Sequence, residues 1–278
     1  MFEAPHFSGL VELAPGFAPQ PGTTHVLFDF DGTLSLIRQG WPEVMLPMFL
    51  ELLPPQAGES EAQVRQMLLD DIMRLNGKQT IYQMMQLAER IRERGGAPKD
   101  PLCYKKEYLD RLERRIEGRK QGLRDGAIKP DDLLVYQARA VLEELRRRGL
   151  ELYLASGTDE PFVREEARLL GVAHYFGSHI YGALDEYKQF SKKIIIDRIL
   201  RENGIAGPNL MSFGDGYVEI QNTKEVGGLA IAVASDEARN GSGLMDAWKR
   251  GRLLGVGADL VIPDFRDGVA LLRLILGP

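Results

Sequence analysis

VLFDFDGT, residues 26–33, decides the fold, because an apolar run ends there in two carboxylates and a glycine turn. Asp29 and Asp31 lie two positions apart, and side chains at that spacing on a strand point to the same side. If the strand continues, the two carboxylates converge, and each raises the pKa of the other unless a positive charge offsets them. We predict that a divalent cation with oxygen ligands, such as magnesium, supplies this charge. The alternative is a solvated turn, since Asp-Gly is a common turn dipeptide.

Similar apolar runs recur along the chain: HVLFDF, LELYLAS, NLMSFGD, LAIAVAS and ADLVIPD. Such continuous runs are typical of strands that are covered on both faces, as in a parallel sheet. Helical patterns that end at glycines lie between them. The sequence therefore predicts a doubly wound α/β core with a mostly parallel sheet. The residues before the first run are rich in proline and glycine and are predicted to be an irregular arm.

Residues 38–129 have a different pattern, with amphipathic helical stretches and no apolar strand run between them. We predict an all-helical insertion after the first strand. The α/β core then consists of residues 1–37 and 130–278.

Composition narrows the class of function. The formal net charge of −5 argues against nucleic acid as the main partner, because a phosphate backbone requires a basic face. No stretch approaches the roughly 18 apolar residues of a membrane helix. The single cysteine, Cys103, excludes an internal disulfide framework and favours a reducing compartment, the cytoplasm.

Polar side chains also follow two other predicted strands. One strand ends in Ser156, Gly157 and Thr158, where hydroxyl and backbone N–H groups ahead of a helix form an anion site. The alternative there is a simple helix cap. Another strand ends at Asp215, with Glu219 four residues further on, and these two acids can hold a metal. Between the two strands are three lysines, any of which can offset the acids and bind a phosphoryl oxygen: Lys188, Lys192 and Lys193.

These motifs, in this order, resemble those of the haloacid dehalogenase superfamily. Its pattern is Asp-x-Asp-x-Thr after a strand, a strand ending in Ser or Thr, a lysine, and Gly-Asp-x-x-x-Asp/Glu. Here the same order appears as DFDGT, LASGT, Lys192 and GDGYVE. The resemblance implies a cytoplasmic, Mg²⁺-dependent phosphatase that hydrolyses a small phosphorylated metabolite through an aspartyl-phosphate. It favours Lys192 among the lysines, since Lys192 opens the following apolar helix pattern.

The resemblance also implies a role for each residue. Asp29 is the expected nucleophile, and Asp31 the expected general acid and base. Lys192 is expected to stabilise charge on the nucleophile and the phosphoryl group. The expected phosphate contacts are Thr33, Ser156, Gly157 and Thr158. The expected Mg²⁺ ligands are Asp29, the backbone carbonyl of Asp31, Asp215 and, directly or through water, Glu219.

In this family a helical insertion after the first motif closes over the active site. Arg38 and Trp41, at the start of the insertion, are candidates for contact with the substrate's leaving group, although solvation of Arg38 and packing of Trp41 are equally compatible with the sequence. Lys78, Gln79 and Tyr82 are further candidates for the cleft.

Two other functions are compatible with the same motifs. A sugar-phosphate mutase uses the same motifs and a similar cap, and no sequence feature reports how long the aspartyl-phosphate survives. A non-catalytic binder of phosphorylated metabolites is less favoured, because such a protein is expected to have lost part of the constellation. A dehalogenase is disfavoured because it does not need the acid at Asp31.

Overall fold

A computed structural model describes residues 7–184 and 186–277 of the chain. Its centre is a sheet whose seven strands, β1 to β7 in chain order, are Glu12–Leu13, His25–Phe28, Glu151–Asp159, Ile180–Ala183, Leu210–Gly214, Leu229–Val233 and Leu260–Ile262. The strands lie in the order β1-β7-β6-β5-β2-β3-β4, and every neighbouring pair is parallel except β1 with β7. The predicted mostly parallel sheet is confirmed.

Helices cover the sheet. Those of the described residues are α1 to α11 in chain order: Pro42–Leu52, Glu61–Arg74, Thr80–Glu93, Pro101–Arg124, Ala138–Arg147, Glu160–Leu169, Ala173–Phe176, Lys192–Asn203, Tyr217–Glu225, Ala247–Gly255 and Gly268–Leu276. Val26 and Phe28 of β2 pack into one apolar cluster, whereas Leu27 packs into another with Ile195 and Ile199 of α8. Because both faces of β2 are buried, its sequence is apolar throughout instead of alternating.

The order of the strands in the sheet determines where a ligand site is expected. After β2 the chain adds β3 and β4 on one side, and it then returns to add β5, β6 and β7 on the other. The carboxyl ends of β2, β3 and β5 are therefore neighbours at a point where the strand order reverses, which is where open α/β sheets bind ligands.

Helices α1 to α4 lie between β2 and β3, and the structure contains no strand from residue 42 to residue 124. This agrees with the predicted helical insertion, whose boundaries at residues 38 and 129 stay a prediction. Met45, Met48 and Met84 are buried in the insertion, where they fill its core. Across residues 7–184 and 186–277, every helix is too short or too polar to cross a membrane.

Two short strands differ from the sequence-based prediction. β1 lies in the arm that was expected to be irregular, and Glu12 and Leu13 pair antiparallel with Val261 and Leu260. β4 extends the opposite edge of the sheet beside β3. Neither strand produces a recognisable apolar run, because β1 has only two residues, Glu12 and Leu13, and β4 (IYGA) is interrupted by Gly182. Both strands form because they pair with a neighbouring strand of the sheet, and their own sequence patterns do not predict them.

Candidate active site

The chain turns sharply at the carboxyl end of β2, just after Asp29. The carbonyl of Phe30 accepts hydrogen bonds from the amides of residues 33–35, at 3.3, 2.8 and 2.8 Å. Gly32 has a φ of +75°, and a Cβ atom there would lie 2.3 Å from Oδ2 of Asp215. Backbone conformation and close contact both exclude a side chain, so this turn requires glycine.

The two carboxylates of the first motif have different partners, because β2 ends before them. Oδ2 of Asp29 lies 2.6 Å from Nζ of Lys192. Oδ2 of Asp31 instead accepts hydrogen bonds from the hydroxyls of Thr158, at 2.9 Å, and Ser156, at 3.1 Å. Oδ1 of Asp31 is buried and accepts no hydrogen bond from the part of the chain that the structure describes. Both aspartates line one cavity.

Lys192 is the lysine that reaches the acids. It opens α8, where the Ser191 hydroxyl accepts a hydrogen bond from the Ile194 amide at 3.1 Å and caps the helix. Its Nζ donates to Oε2 of Glu219 at 2.7 Å as well as pairing with Asp29, and its side chain is 3% exposed. The other two candidate lysines lie at the surface: Lys188 and Lys193.

The carboxyl end of β5 brings two more acids to Asp29. Glu219 accepts a hydrogen bond from the Gly216 amide at 2.7 Å, which fixes its carboxylate at the start of α9. Asp29, Asp215 and Glu219 are buried, and each offers one oxygen within 4.8 Å of the others. Carboxylate oxygens are the ligands that Mg²⁺ prefers, so these three residues fit a magnesium site. The carboxylate of Asp31 lies outside this group, with Ser156 and Thr158.

Burial dominates the electrostatics of the site. It raises the pKa of Asp29 well above its ordinary value, although Lys192 opposes the shift. Burial also raises the pKa of Asp31, against the opposing charge of Arg38. Burial lowers the pKa of Lys192, but Asp29 and Glu219 more than offset this, so the net shift is upward and the ammonium stays charged. A carboxyl group with a raised pKa is suited to general acid catalysis.

The strand β3 continues through the second motif instead of ending at it. Ser156, Gly157 and Thr158 are all in β3, and Asp159 is the cap position of α6. The alternative of a simple helix cap is not what the structure has, because the Asp159 side chain makes no capping hydrogen bond there and pairs with Lys105 at 2.7 Å. The hydroxyls of Ser156 and Thr158 instead donate hydrogen bonds to Oδ2 of Asp31.

Arg38 lines the cavity but is held by acids of the protein. Its Nε donates to both carboxylate oxygens of Glu166, at 3.0 and 3.1 Å, and its Nη2 donates to Glu113 at 3.2 Å. Its Nε is 3.9 Å from Oδ1 of Asp31. Glu166 belongs to α6 and Glu113 to α4, so Arg38 joins the insertion to the core. Contact of Arg38 with a substrate stays a prediction.

Residues 76–79 of the insertion, between α2 and α3, lie across the carboxyl ends of the strands. A Cβ atom on Gly157 would be 2.7 Å from the carbonyl oxygen of Lys78, and one on Gly216 would be 2.8 Å from Cα of Gly77. The Gln79 side chain donates to the carbonyls of residues 187 and 190, at 2.9 and 2.7 Å. The cavity beneath this segment has a volume of about 80 Å³.

A second buried lysine at the candidate site, Lys249 of α10, was missed by the sequence-based prediction. Its Nζ lies 2.9 Å from Oδ2 of Asp215 and 2.7 Å from Oε1 of Glu237, which also lines the cavity. No motif identifies it, since it lies in the run WKRGR beside the exposed Arg250. Helical spacing could have indicated that Lys249 is buried, because it is four residues from the buried Leu253 and residues at that spacing share a helix face.

Comparison with known proteins agrees with this arrangement. A family model of haloacid dehalogenase-like hydrolases matches residues 23–227. The chain therefore belongs to the haloacid dehalogenase-like hydrolases, as its motifs predicted. No curated protein is significantly similar to it in sequence.

Solved structures share the fold at low identity. A predicted phosphatase from Clostridium acetobutylicum is 14% identical with a TM-score of 0.59, covering 90% of this chain and 98% of its own. A predicted phosphoglycolate phosphatase from Haemophilus somnus 129pt is 15% identical with a TM-score of 0.55, covering 90% and 98%. A protein assigned as a β-phosphoglucomutase, from Thermotoga maritima, is 18% identical with a TM-score of 0.53, covering 90% and 99%.

Proposed function

We propose that the protein is a Mg²⁺-dependent phosphatase that hydrolyses a small phosphorylated metabolite through an aspartyl-phosphate on Asp29. The observation that carries the proposal is the arrangement around Lys192. Its ammonium group contacts Asp29 at 2.6 Å and Glu219 at 2.7 Å, while Asp31 stands in the same cavity with hydroxyl partners of its own. A nucleophile beside a cation, with a separate acid, is what phosphoryl transfer through a covalent intermediate requires.

In the first half of the reaction, a carboxylate oxygen of Asp29 attacks phosphorus, and the bond from phosphorus to the substrate's alcohol oxygen breaks. Asp31 supplies the proton that this oxygen takes up, and its raised pKa suits it to that step. Its oxygen Oδ2 accepts hydrogen bonds from Thr158 and Ser156, whereas Oδ1 accepts none from the described residues and lies 3.9 Å from Nε of Arg38. Lys192 offsets the negative charge on Asp29 and the phosphoryl oxygens.

In the second half, water attacks phosphorus, the bond to Asp29 breaks, and inorganic phosphate forms. Asp31, now deprotonated, accepts the proton of that water, so the same residue serves both halves. Ser156 and the Gly157 amide are the proposed phosphate contacts, and Thr33 supports the turn of the first motif. The Thr33 hydroxyl is 3.4 Å from Oδ1 of Asp215, which links the first and last motifs.

Asp29, Asp215 and Glu219, together with the backbone carbonyl of Asp31, would hold the Mg²⁺ ion. When bound, this ion supplies positive charge that neutralises the phosphoryl oxygens. Glu219 is already bound to Lys192 and to the Gly216 amide, so it would contact the ion through its remaining lone pairs or through water.

The size of the cavity supports a small substrate and a moving cap. A volume of about 80 Å³ has room for a phosphoryl group, whereas ligand pockets usually measure about 300–1,000 Å³. Residues 76–79 must therefore move for a metabolite to enter and for the products to leave. Their return would exclude water from the reacting groups.

A sugar-phosphate mutase is the second candidate. The observation that favours it is the position of residues 76–79 over the cavity, because an aspartyl-phosphate that is shielded from water survives long enough to react with a sugar hydroxyl. Phosphate release relative to isomer formation separates the two functions. A phosphatase releases one phosphate for each substrate consumed, whereas a mutase converts a sugar phosphate into its isomer with little release.

The first experiment measures phosphate release from a chromogenic aryl phosphate and from a panel of phosphorylated metabolites, with Mg²⁺ and with EDTA. We expect turnover only with Mg²⁺ and none for Asp29→Asn. Asp197→Asn is the matched control, because Asp197 lies on α8 with a half-exposed side chain paired to Lys193, and it should keep full activity. Metal-independent turnover, or turnover that survives in Asp29→Asn, would overturn the proposal.

A further inference from the structure

Each carboxylate of the candidate metal site has one oxygen engaged by a lysine. Lys192 contacts Oδ2 of Asp29 at 2.6 Å and Oε2 of Glu219 at 2.7 Å. Lys249 contacts Oδ2 of Asp215 at 2.9 Å. The two lysines thus leave each acid with one oxygen that carries no ammonium contact. Lys192 is part of the family's motif pattern, whereas Lys249 is outside it.

Lys249 is fixed in this position by groups other than Asp215. Its Nζ donates to Oε1 of Glu237 at 2.7 Å and to the Ser235 hydroxyl at 3.1 Å. That hydroxyl in turn donates to the carbonyl of Gly32 at 2.6 Å, in the turn of the first motif. The lysine side chain is buried, so an ammonium group displaced from Asp215 would have to remain desolvated.

The ammonium group of Lys249 stays protonated. Burial lowers the pKa of its ammonium group, but the charges of Asp215 and Glu237 and their hydrogen bonds more than offset this, so the pKa lies above its ordinary value. Ser235, Glu237 and Lys249 all lie beyond residue 227, where the match to the family model ends. They therefore lie outside the part of the chain that the family model matches.

We propose that Lys249 restricts Asp215 to single-oxygen coordination and thereby makes the site select Mg²⁺ over Ca²⁺. Mg²⁺ requires nearly ideal octahedral geometry and takes one oxygen from a carboxylate, whereas Ca²⁺ takes six to eight oxygens and often both oxygens of one carboxylate. An ion chelated by both oxygens of Asp215 must displace the Lys249 ammonium. Displacement of the ammonium group therefore weakens the binding of Ca²⁺, whereas Mg²⁺ binds one oxygen and leaves Lys249 in place. The inference rests on the proposed function, because it concerns the metal that this function uses.

The test measures ion binding alone. Mn²⁺ is bound to the metal-free protein and followed by its electron paramagnetic resonance signal, and Mg²⁺ and Ca²⁺ are each used to displace it. In Lys249→Met the Ca²⁺ affinity should rise about tenfold relative to the Mg²⁺ affinity, because both oxygens of Asp215 become available. Loss of a positive charge favours both dications alike, so the ratio of the two affinities separates coordination from charge.

Two variants complete the test. Lys249→Arg keeps a cationic donor and should keep the wild-type ratio. Lys224→Met removes a lysine that pairs with Asp259 away from the site and should also leave the ratio unchanged. An equal change in both affinities for Lys249→Met, or no change, overturns the proposal. If wild-type protein binds neither Mn²⁺ nor Mg²⁺, the proposed Mg²⁺-dependent function fails instead, so the two failures are distinct.

A crystal structure of the wild-type protein with Ca²⁺ provides an answer even if Lys249→Met does not fold. We expect Ca²⁺ on one oxygen of Asp215, with Lys249 still bound to the other. An ion bound by both oxygens of Asp215, with Lys249 displaced, would overturn the proposal.

Discussion

The Nζ atom of Lys192 lies 2.6 Å from Oδ2 of Asp29 and 2.7 Å from Oε2 of Glu219. One ammonium group therefore joins the acid that follows β2 to the acid that opens α9. Because all three groups are buried, the attraction between them is little screened by water. Lys192 opposes the rise in the pKa of Asp29 that burial causes, and it thereby favours the charged form that the proposed nucleophile needs.

Replacing Lys192 by methionine should lower kcat by about 10²–10³, which is the usual effect of removing one electrostatic contact to a reacting group. Lys193→Met is the matched control, since Lys193 is the next residue of α8 and its side chain is half exposed, with ion-pair distances of 3.6 and 3.8 Å. It should stay within about twofold of wild type. The kcat values of the two variants are compared by steady-state kinetics on the same substrate. A larger loss of kcat in Lys193→Met than in Lys192→Met would mean that the wrong lysine has been assigned.

Asp31→Asn should separate the two halves of the reaction. An aryl phosphate has a good leaving group that needs little protonation, so Asp29 can still be phosphorylated. Hydrolysis of the aspartyl-phosphate then lacks its base and should slow by about 10²–10⁴. Rapid-mixing measurements should show a burst of the phenol, one equivalent per site, followed by slow turnover. A variant that shows no burst but full steady-state activity would exclude Asp31 from this role.

The pH dependence of stability gives a separate test of Asp31. Burial raises its pKa in the folded protein. Between the ordinary and the raised pKa, the folded protein keeps a proton that the unfolded chain has released, so the free energy of unfolding falls as pH rises through this window. Asparagine does not titrate. Urea unfolding in EDTA should therefore show that Asp31→Asn gains stability relative to wild type as the pH rises above the ordinary carboxyl pKa of about 4, and a constant difference would contradict the raised pKa.

Gly157→Ala should impair closure of the insertion without unfolding the core. Its Cβ atom would lie 2.7 Å from the carbonyl oxygen of Lys78, a backbone atom that can move only with residues 76–79. We expect kcat/KM to fall about 100-fold, as small misplacements of closing segments do. Gly251→Ala is the control, because a Cβ atom on Gly251 of α10 meets no atom within 4 Å. Equal kinetics for the two variants would show that this contact does not matter.

Much of the candidate site could be predicted because its residues follow the apolar runs of neighbouring strands. In a parallel sheet, hydrophobic runs identify the strands, and polar residues after those runs have to meet at one edge. Asp29, Ser156 and Asp215 were located in this way. The assignment of Lys192 depended on the family pattern, because no local feature distinguishes the three nearby lysines, and only the fold shows that Lys192 is buried while Lys188 and Lys193 are exposed.

Other features depend on contacts between distant parts of the chain. The contact of Lys249 with Asp215 joins residues 34 positions apart, and no local pattern reports it. No local pattern predicts the position of residues 76–79 either, because they lie over Gly157 and Gly216 through the packing of the insertion on the core. The engagement of Arg38 by Glu166 and Glu113 is also a tertiary property, since each partner belongs to a different helix.

The strand β1 has a consequence for the solubility of shortened versions of the protein. It covers β7, whose outer edge would otherwise offer unpaired backbone groups, and the amide of Ala14 continues this cover with a hydrogen bond to Asp259 at 2.8 Å. Arg250 holds the strand in place through Glu12. A chain that starts at residue 23, where the family match begins, would lack this cover. Exposed strand edges pair with one another, so such a chain would self-associate through β7 and aggregate even with every catalytic group intact.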